Sequence, residues 1–158
     1  MLKVASQSFG FSAQDTLRIA EHLYLRGYTT YPRTESTDFS PNFDFLEVVK
    51  EHTSHPDWGK FAQNLIKNGL NRPKKGVDAG DHPPITPVKA ATRHDLSDGE
   101  WKIYQFIARS FLGCISTDAT FDSVAVVFEA GEEVFKVSGR ILIQPGFLEI
   151  MTWHAGDD

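Results

Sequence analysis

Tyr31, Pro32 and Arg33 place a phenol two residues before a guanidinium, with a proline between them. Proline fixes its own φ near −65° and pushes the preceding residue out of the helical region, so this segment should be extended. Side chains alternate along an extended chain, which puts Tyr31 and Arg33 on the same side. A phenol beside a guanidinium suits attack on a phosphodiester: the phenol is the nucleophile, and the forked cation holds phosphate oxygens as charge builds. A free tyrosine has a pKa near 10, so about one in a thousand is ionised at neutral pH. The site must therefore remove that proton or stabilise the developing phenolate. The same triplet also fits a tyrosine packed at a loop start with an arginine on the surface, and alone it does not choose.

A second stretch, Asp78-Ala79-Gly80-Asp81-His82-Pro83-Pro84-Ile85-Thr86-Pro87, follows about fifty residues on. Its three prolines exclude a helix and give a stiff extended loop. A histidine on such a support is firmly aimed, whether in chemistry or in an ordinary proline-rich turn.

The elements that must position these residues can be read from caps and periodicity. Ser12, with Asp15 three residues on, caps a helix whose Leu17, Ala20, Leu23 and Tyr24 recur at helical spacing and whose stop is Gly27. The Tyr31 segment follows it directly. Ser40-Pro41 is expected to begin a second helix, with Phe45, Leu46, Val48 and Val49 inward. His55-Pro56 should begin a third, with Trp58, Phe61, Ala62, Leu65 and Ile66 as its apolar stripe and Gly69 as its end. These aromatics read as core. Residues 70–94 form a long loop, the kind that often carries function.

Ser97-Asp98-Gly99-Glu100 is a capping box that starts a fourth helix, running to about Ile115. From Phe121 the pattern changes to strands at 123–129 and 133–139, with Gly131 in the turn. Two further short strands are expected at 141–143 and 147–150, around Pro145-Gly146. Helices first and strands second give an α+β class, with a boundary near residue 118 dividing 1–117 from 118–158.

A chain of 158 residues suffices for one domain, or one domain and part of another. No apolar run approaches the 18 residues a membrane helix needs, and the N-terminus lacks a signal peptide's apolar core. The single Cys114 forms no internal disulfide and points to a reducing compartment, nucleus or cytoplasm. Its apolar neighbours suggest a buried structural thiol. No Cys/His cluster has zinc spacing.

The net charge of −5 argues against nucleic acid when taken globally, but the charge is uneven. Residues through 94 hold 12 Lys/Arg against 10 Asp/Glu, and those after it hold 4 against 11. The half bearing both motifs is mildly basic, which is compatible with a local phosphate-binding site.

The run Gly27-Tyr28-Thr29-Thr30-Tyr31-Pro32-Arg33-Thr34-Glu35-Ser36, preceded by Glu21-His22-Leu23-Tyr24, closely resembles the active-site segment of type IA DNA topoisomerases, and within them topoisomerase III. The Asp78–Pro87 stretch resembles the III-beta branch. Asn71-Arg72-Pro73-Lys74-Lys75-Gly76 and the later Ser138-Gly139-Arg140 and Pro145-Gly146-Phe147 also fit. Thr29 departs from the pattern, standing where members usually carry an aliphatic residue.

The resemblance implies that Tyr31 attacks one strand and becomes joined to its 5′-phosphate, leaving a 3′-hydroxyl, with rejoining that needs no ATP. Arg33 and His82 are the implied partners. His82 either hydrogen-bonds the phosphate or assists proton movement. Tyr28, Thr34 and Ser36 are assigned to nucleic-acid contact, and Arg72, Lys74 and Lys75 could touch backbone phosphate or form a solvated turn.

The resemblance further implies a winged-helix-like tyrosine domain of the catabolite-activator type, followed by strands of a gate arch whose other half lies elsewhere. Mg²⁺ would be bound by a Toprim domain outside this chain. The loop pair Asp78 and Asp81 does not replace that domain, and no metal is assigned here. The expected partners are single-stranded DNA, RNA as a permitted second substrate, and the remaining domains of the same polypeptide, with no membrane. The alternative from another class is a catalytically silent nucleic-acid-binding or partner-docking module.

Overall fold

The computed structural model describes residues 1–154. Five helices precede a two-stranded antiparallel sheet: α1 (Leu2–Phe9), α2 (Ala13–Leu25), α3 (Phe45–His52), α4 (Gly59–Asn68), α5 (Asp98–Cys114), β1 (Thr120–Ala130) and β2 (Glu133–Gln144). Two short 3₁₀ turns follow, Gly146–Glu149 and Thr152–His154. The α+β class is as expected. The last residues of the 118–158 region, 155–158, lie outside the described residues.

Local chemistry sets most helix ends. Ser12 accepts the Asp15 N–H at the start of α2. Ser97 and Glu100 cap each other's backbone at the start of α5. The Glu100 carboxylate is buried, and burial alone would raise its pKa. Hydrogen bonds from Ser97, Arg26 and His22 outweigh that and hold it at about 2.

Five expectations need correction. The second helix starts at Phe45, not at Ser40-Pro41. The carbonyls of Ser40 and Pro41 are taken by the Arg72 guanidinium at 2.9 and 3.3 Å, and Asp44 supplies the cap by accepting the Glu47 N–H at 3.0 Å. The third helix starts at Gly59, after a turn over 56–58, because His55 spends its ring on the Asp57 N–H and turns inward. Leu46 and Ile66 face solvent, although both were expected on inward stripes. Residues 141–143 simply continue β2, while 147–150 turn into 3₁₀ geometry after Pro145 instead of forming a strand. Cys114 is exposed, with its Sγ directed back to the Phe111 carbonyl at 3.0 Å. Helix α1, which ends at a left-handed Gly10, carried no expectation.

The core surrounds α5. Ile103, Tyr104, Ala108 and Leu112 are fully buried against Leu23 of α2, Val49 of α3 and Ala62 of α4. His55 stacks on Trp58 at 3.6 Å with planes 2° apart, and Trp101 extends the stack at 5.8 Å.

The strands form a ribbon with different surroundings. Gly131, at φ +65°, is the first residue of the two-residue turn, and the positive φ there matches the twist of the strands. Pairs Val126↔Val137 and Phe128↔Phe135 place Val124, Val126, Phe128, Phe135, Val137 and Ile141 on one face. All six are exposed, between 44% and 60%. At the root, the chain leaves β2 through Gly146 with φ +47°, where a Cβ would sit 2.4 Å from the Thr117 carbonyl oxygen. Beyond it, Ile150 returns to the helical core. Among the described residues no helix is long and apolar enough to cross a membrane.

Candidate active site

Two loops without regular secondary structure, 28–38 and 77–91, run side by side in opposite directions. The Lys89 N–H reaches the Tyr28 carbonyl at 3.3 Å, and the Thr30 N–H reaches the Thr86 carbonyl at 3.0 Å. The Thr86 N–H donates to Thr30 Oγ1 at 2.8 Å, and the Thr37 N–H donates to the Val77 carbonyl at 2.9 Å. Prolines at 83, 84 and 87 lack the N–H groups a regular ladder would need, so side chains complete the stitching.

Asp81 is the main clip. Its carboxylate accepts the Glu35 N–H at 2.9 Å and the Ser36 hydroxyl at 2.8 Å. Those two bonds, the Glu35 N–H first, hold its pKa at about 2. Thr34 donates its hydroxyl to the His82 carbonyl at 2.6 Å and accepts the Ser36 N–H at 3.1 Å. The backbone of His82 is thereby fixed three residues along from Tyr31.

The second loop is also held from beneath. His52 Nε2–H donates to the Pro87 carbonyl at 2.9 Å, the Tyr104 hydroxyl to that of Lys89 at 2.7 Å, and His55 Nε2–H to that of Ala91 at 2.9 Å. These carbonyls belong to alternate residues of the loop, 87, 89 and 91. The Nδ1 atoms of His52 and His55 accept from Trp58 Nε1–H and the Asp57 N–H, which fixes both imidazoles as neutral tautomers. Desolvation lowers the pKa of both histidines and, acting on the neutral phenol of Tyr104, raises that one.

On this frame stand the three predicted catalytic side chains. The Tyr31 ring lies 4.8 Å from the His82 ring and 5.3 Å from the Tyr24 ring, which meets it edge-on at 71°. Arg33 Nε–H donates to Glu21 Oε1 at 2.8 Å. Tyr31 and Arg33, on either side of a bend at Pro32, thus both meet side chains of α2, Tyr24 and Glu21. Among the described residues the Tyr31 hydroxyl has no hydrogen-bond partner, and His82 meets the ring of Tyr31, not its oxygen.

The residues assigned to nucleic acid divide. Thr34 and Ser36 commit their hydroxyls to the clip. Arg72 donates to the carbonyls of Phe39, Ser40 and Pro41 and lies over the Phe45 ring at 5.6 Å, holding the entry to α3. Tyr28 is half-buried between Arg26 and Lys89, with its ring edge-on to Tyr104. Lys74 and Lys75 are exposed and make no ion pair among the described residues.

Thr29, at the departing position, is buried, and its hydroxyl has no partner. Among the described residues no three His, Cys, Asp or Glu side chains gather as metal ligands, and Asp78 and Asp81 are occupied by Gly80 N–H, Glu35 N–H and Ser36. Asp81, Glu21 and Tyr24 had drawn no role from sequence reasoning. Only the helical spacing of Glu21 and Tyr24, set against the period-two spacing of Arg33 and Tyr31, could have pointed to them.

Comparison with known proteins identifies the family. The family model described as DNA topoisomerase matches residues 1–158. DNA topoisomerase 3-beta-1 of Homo sapiens is 43% identical over 155 residues, covering 98% of this chain and 18% of that protein. DNA topoisomerase 3-beta of Arabidopsis thaliana is 41% identical over 158 residues, 100% of this chain and 18% of that protein. DNA topoisomerase 3-alpha of Drosophila melanogaster is 36% identical over 154 residues, 97% of this chain and 12% of that protein. The chain thus spans less than a fifth of the length of these relatives. A family match over every residue, with likeness to 3-beta proteins along nearly the whole chain, makes this chain a member of the type IA DNA topoisomerases, of the topoisomerase III-beta kind.

Proposed function

We propose that this chain carries the strand-cleaving tyrosine of a topoisomerase III, with Tyr31 as nucleophile and Arg33 and His82 as its partners. The observation that carries the reading is the grouping of an unpartnered Tyr31 hydroxyl, the His82 ring and the Arg33 guanidinium on one packed frame. In the step proposed, Tyr31 Oη forms a bond to phosphorus and loses its proton. The bond from phosphorus to the 3′-oxygen breaks, and that oxygen takes up a proton to leave as a 3′-hydroxyl. Reversal rejoins the strand without ATP, because the phosphotyrosine retains the bond energy.

Among the described residues the two terminal nitrogens of Arg33 have no partner, which suits a hold on non-bridging phosphate oxygens. His82, whose ring lies 4.8 Å from that of Tyr31, hydrogen-bonds the phosphate or assists proton movement. Lys74 and Lys75 supply backbone-phosphate contacts, while Tyr28, Thr34, Ser36 and Arg72 shape the surface that meets the strand. The substrate is single-stranded DNA, with RNA as a second substrate of the III-beta kind.

Mg²⁺, which the family implies, is assigned to residues outside this chain, and no step is routed through it; among the described residues no three His, Cys, Asp or Glu side chains gather as ligands. Residues 1–117 act as the tyrosine domain. The short helical pair α3 and α4 supports a winged-helix-like description of it, and 118–158 act as part of the gate arch. The other domains of the polypeptide are the partners, in the nucleus or cytoplasm.

The test is covalent trapping in a full-length topoisomerase carrying this segment. Tyr31→Phe should abolish the adduct with a single-stranded oligonucleotide and leave binding nearly intact. An adduct that persists in this variant, or that maps to Tyr28, refutes the assignment.

A further inference from the structure

We propose that Glu21 is a positioning residue for strand cleavage, acting through Arg33, and that Tyr24 does the same for Tyr31. The inference rests on the functional reading above and extends it to α2.

Two spacings meet at this contact. Glu21 and Tyr24 are three apart on a helix and so share a face, about 5–6 Å between Cβ atoms. Tyr31 and Arg33 are two apart, on either side of a bend at Pro32. The segment meets α2 in the reverse direction, pairing 21 with 33 and 24 with 31. One helical turn thus serves as a template for the separation between nucleophile and guanidinium.

The form of the Glu21 contact matters. It engages Nε, the one guanidinium nitrogen inside the stem, at 2.8 Å. Because the guanidinium is planar, fixing Nε fixes the plane and aims the terminal nitrogens. A carboxylate across the terminal pair would instead have blocked the phosphate-binding edge. The pair is well exposed, 57% at Arg33 and 38% at Glu21, so it contributes little to folding stability. Its effect is orientation. Tyr24 acts likewise through an edge-to-face contact, holding the Tyr31 ring from α2 while His82 meets the same ring from the second loop.

The test uses a full-length topoisomerase carrying this segment and measures three quantities on each variant: single-turnover cleavage of a saturating oligonucleotide, oligonucleotide affinity, and thermal midpoint. Misplacement of a reacting group by an ångström costs up to about a hundredfold, so Glu21→Ala and Tyr24→Ala should each lower cleavage by about tenfold or more. Affinity should change less than cleavage, and the thermal midpoint of Glu21→Ala should barely move. Glu21→Gln keeps an acceptor oxygen for Arg33 Nε–H and should restore most of the rate. Cleavage by Glu21→Ala at the parental rate, or by Glu21→Gln no better than by Glu21→Ala, overturns the proposal. Tyr31→Phe is run beside them. If it loses the adduct while Glu21→Ala keeps the parental rate, positioning by Glu21 fails alone; if it keeps the adduct, the underlying functional reading fails.

Discussion

Around α5, Trp58, Ile103 and Tyr104 are fully buried, and the polar atoms of His52, His55 and Tyr104 each meet a partner. Along the ribbon, Val126, Phe128, Phe135 and Val137 form an apolar face that no described residue covers. The sheet is paired along its length, with one irregularity at Thr120/Phe121, yet buries almost no side chain, and isolated two-stranded ribbons are marginal in water. The helical body is thus specified from within, by packing and by fixed hydrogen bonds that reach into the site loops. The ribbon is specified mainly by its turn and register, and its apolar face has the composition of a surface that is normally covered. What separates the regions is where each finds its stabilisation, and substitutions can test that separately.

The largest effect should fall on chemistry carried by the helical body. Arg33→Lys keeps the charge but loses both the planar fork and the Nε–H that Glu21 holds. In a full-length enzyme, single-turnover cleavage should fall about 10²-fold. A rate close to that of the parent would reduce Arg33 to a surface charge.

The contrast in stabilisation comes next. Tyr104→Phe removes the hydroxyl that serves both the Lys89 carbonyl and the Ala91 N–H, leaving the buried Ala91 N–H and the part-buried carbonyl unpaired, at a cost of about 1–3 kcal/mol. Val126→Thr on the exposed ribbon face should stay within about 0.5 kcal/mol. Denaturant titration of both variants decides the matter. Equal costs would break the comparison, because the ribbon would then have a core of its own.

Acid should also act on the helical body first. Desolvation depresses the pKa of His52 and His55 in the folded state, so the unfolded chain binds more protons once pH drops below the ordinary histidine value near 6.5. Stability present above that value is lost as pH falls toward the depressed folded values. The Asp81 clip, with its pKa at about 2, gives way only below the ordinary carboxylate range. The thermal midpoint should therefore fall between pH 7.5 and 5.5. A flat midpoint over that interval would mean that the two imidazoles are not held neutral.

The smallest effect is a gain. Thr29 buries a hydroxyl without a partner, and Thr29→Val keeps the shape while removing it. The change should stabilise by about 1 kcal/mol. A loss of stability would reveal a partner for that hydroxyl.

Much of the frame was legible in the sequence where the signal is local. Ser12 with Asp15, Ser97 with Glu100, and the Gly131 turn all lie within a few residues of what they cap or close. The start of α3 was misplaced because the competitor for the Ser40 and Pro41 carbonyls is Arg72, some thirty residues away. Ser36 and Thr34 could pass for ligand contacts because Asp81 and the His82 carbonyl are equally remote in sequence. The meeting of Tyr31 with His82 came from family resemblance; no periodicity in the chain brings residues 31 and 82 together. Long-range polar pairs leave no pattern in a single sequence, and this site is built largely from them.

Gly146 also bears on mechanics. Its missing side chain lets the chain leaving β2 cross the backbone that enters β1, touching the Thr117 and Asp118 carbonyls, so both rails of the ribbon are gathered at one pivot. Eleven residues of β1 reach about 36 Å from that pivot. A swing of about 10° there would carry the tip through about 6 Å by simple leverage on that strand length. Any side chain at position 146 would push the rails apart, and the same torque would then be spent in spreading the root instead of moving the tip.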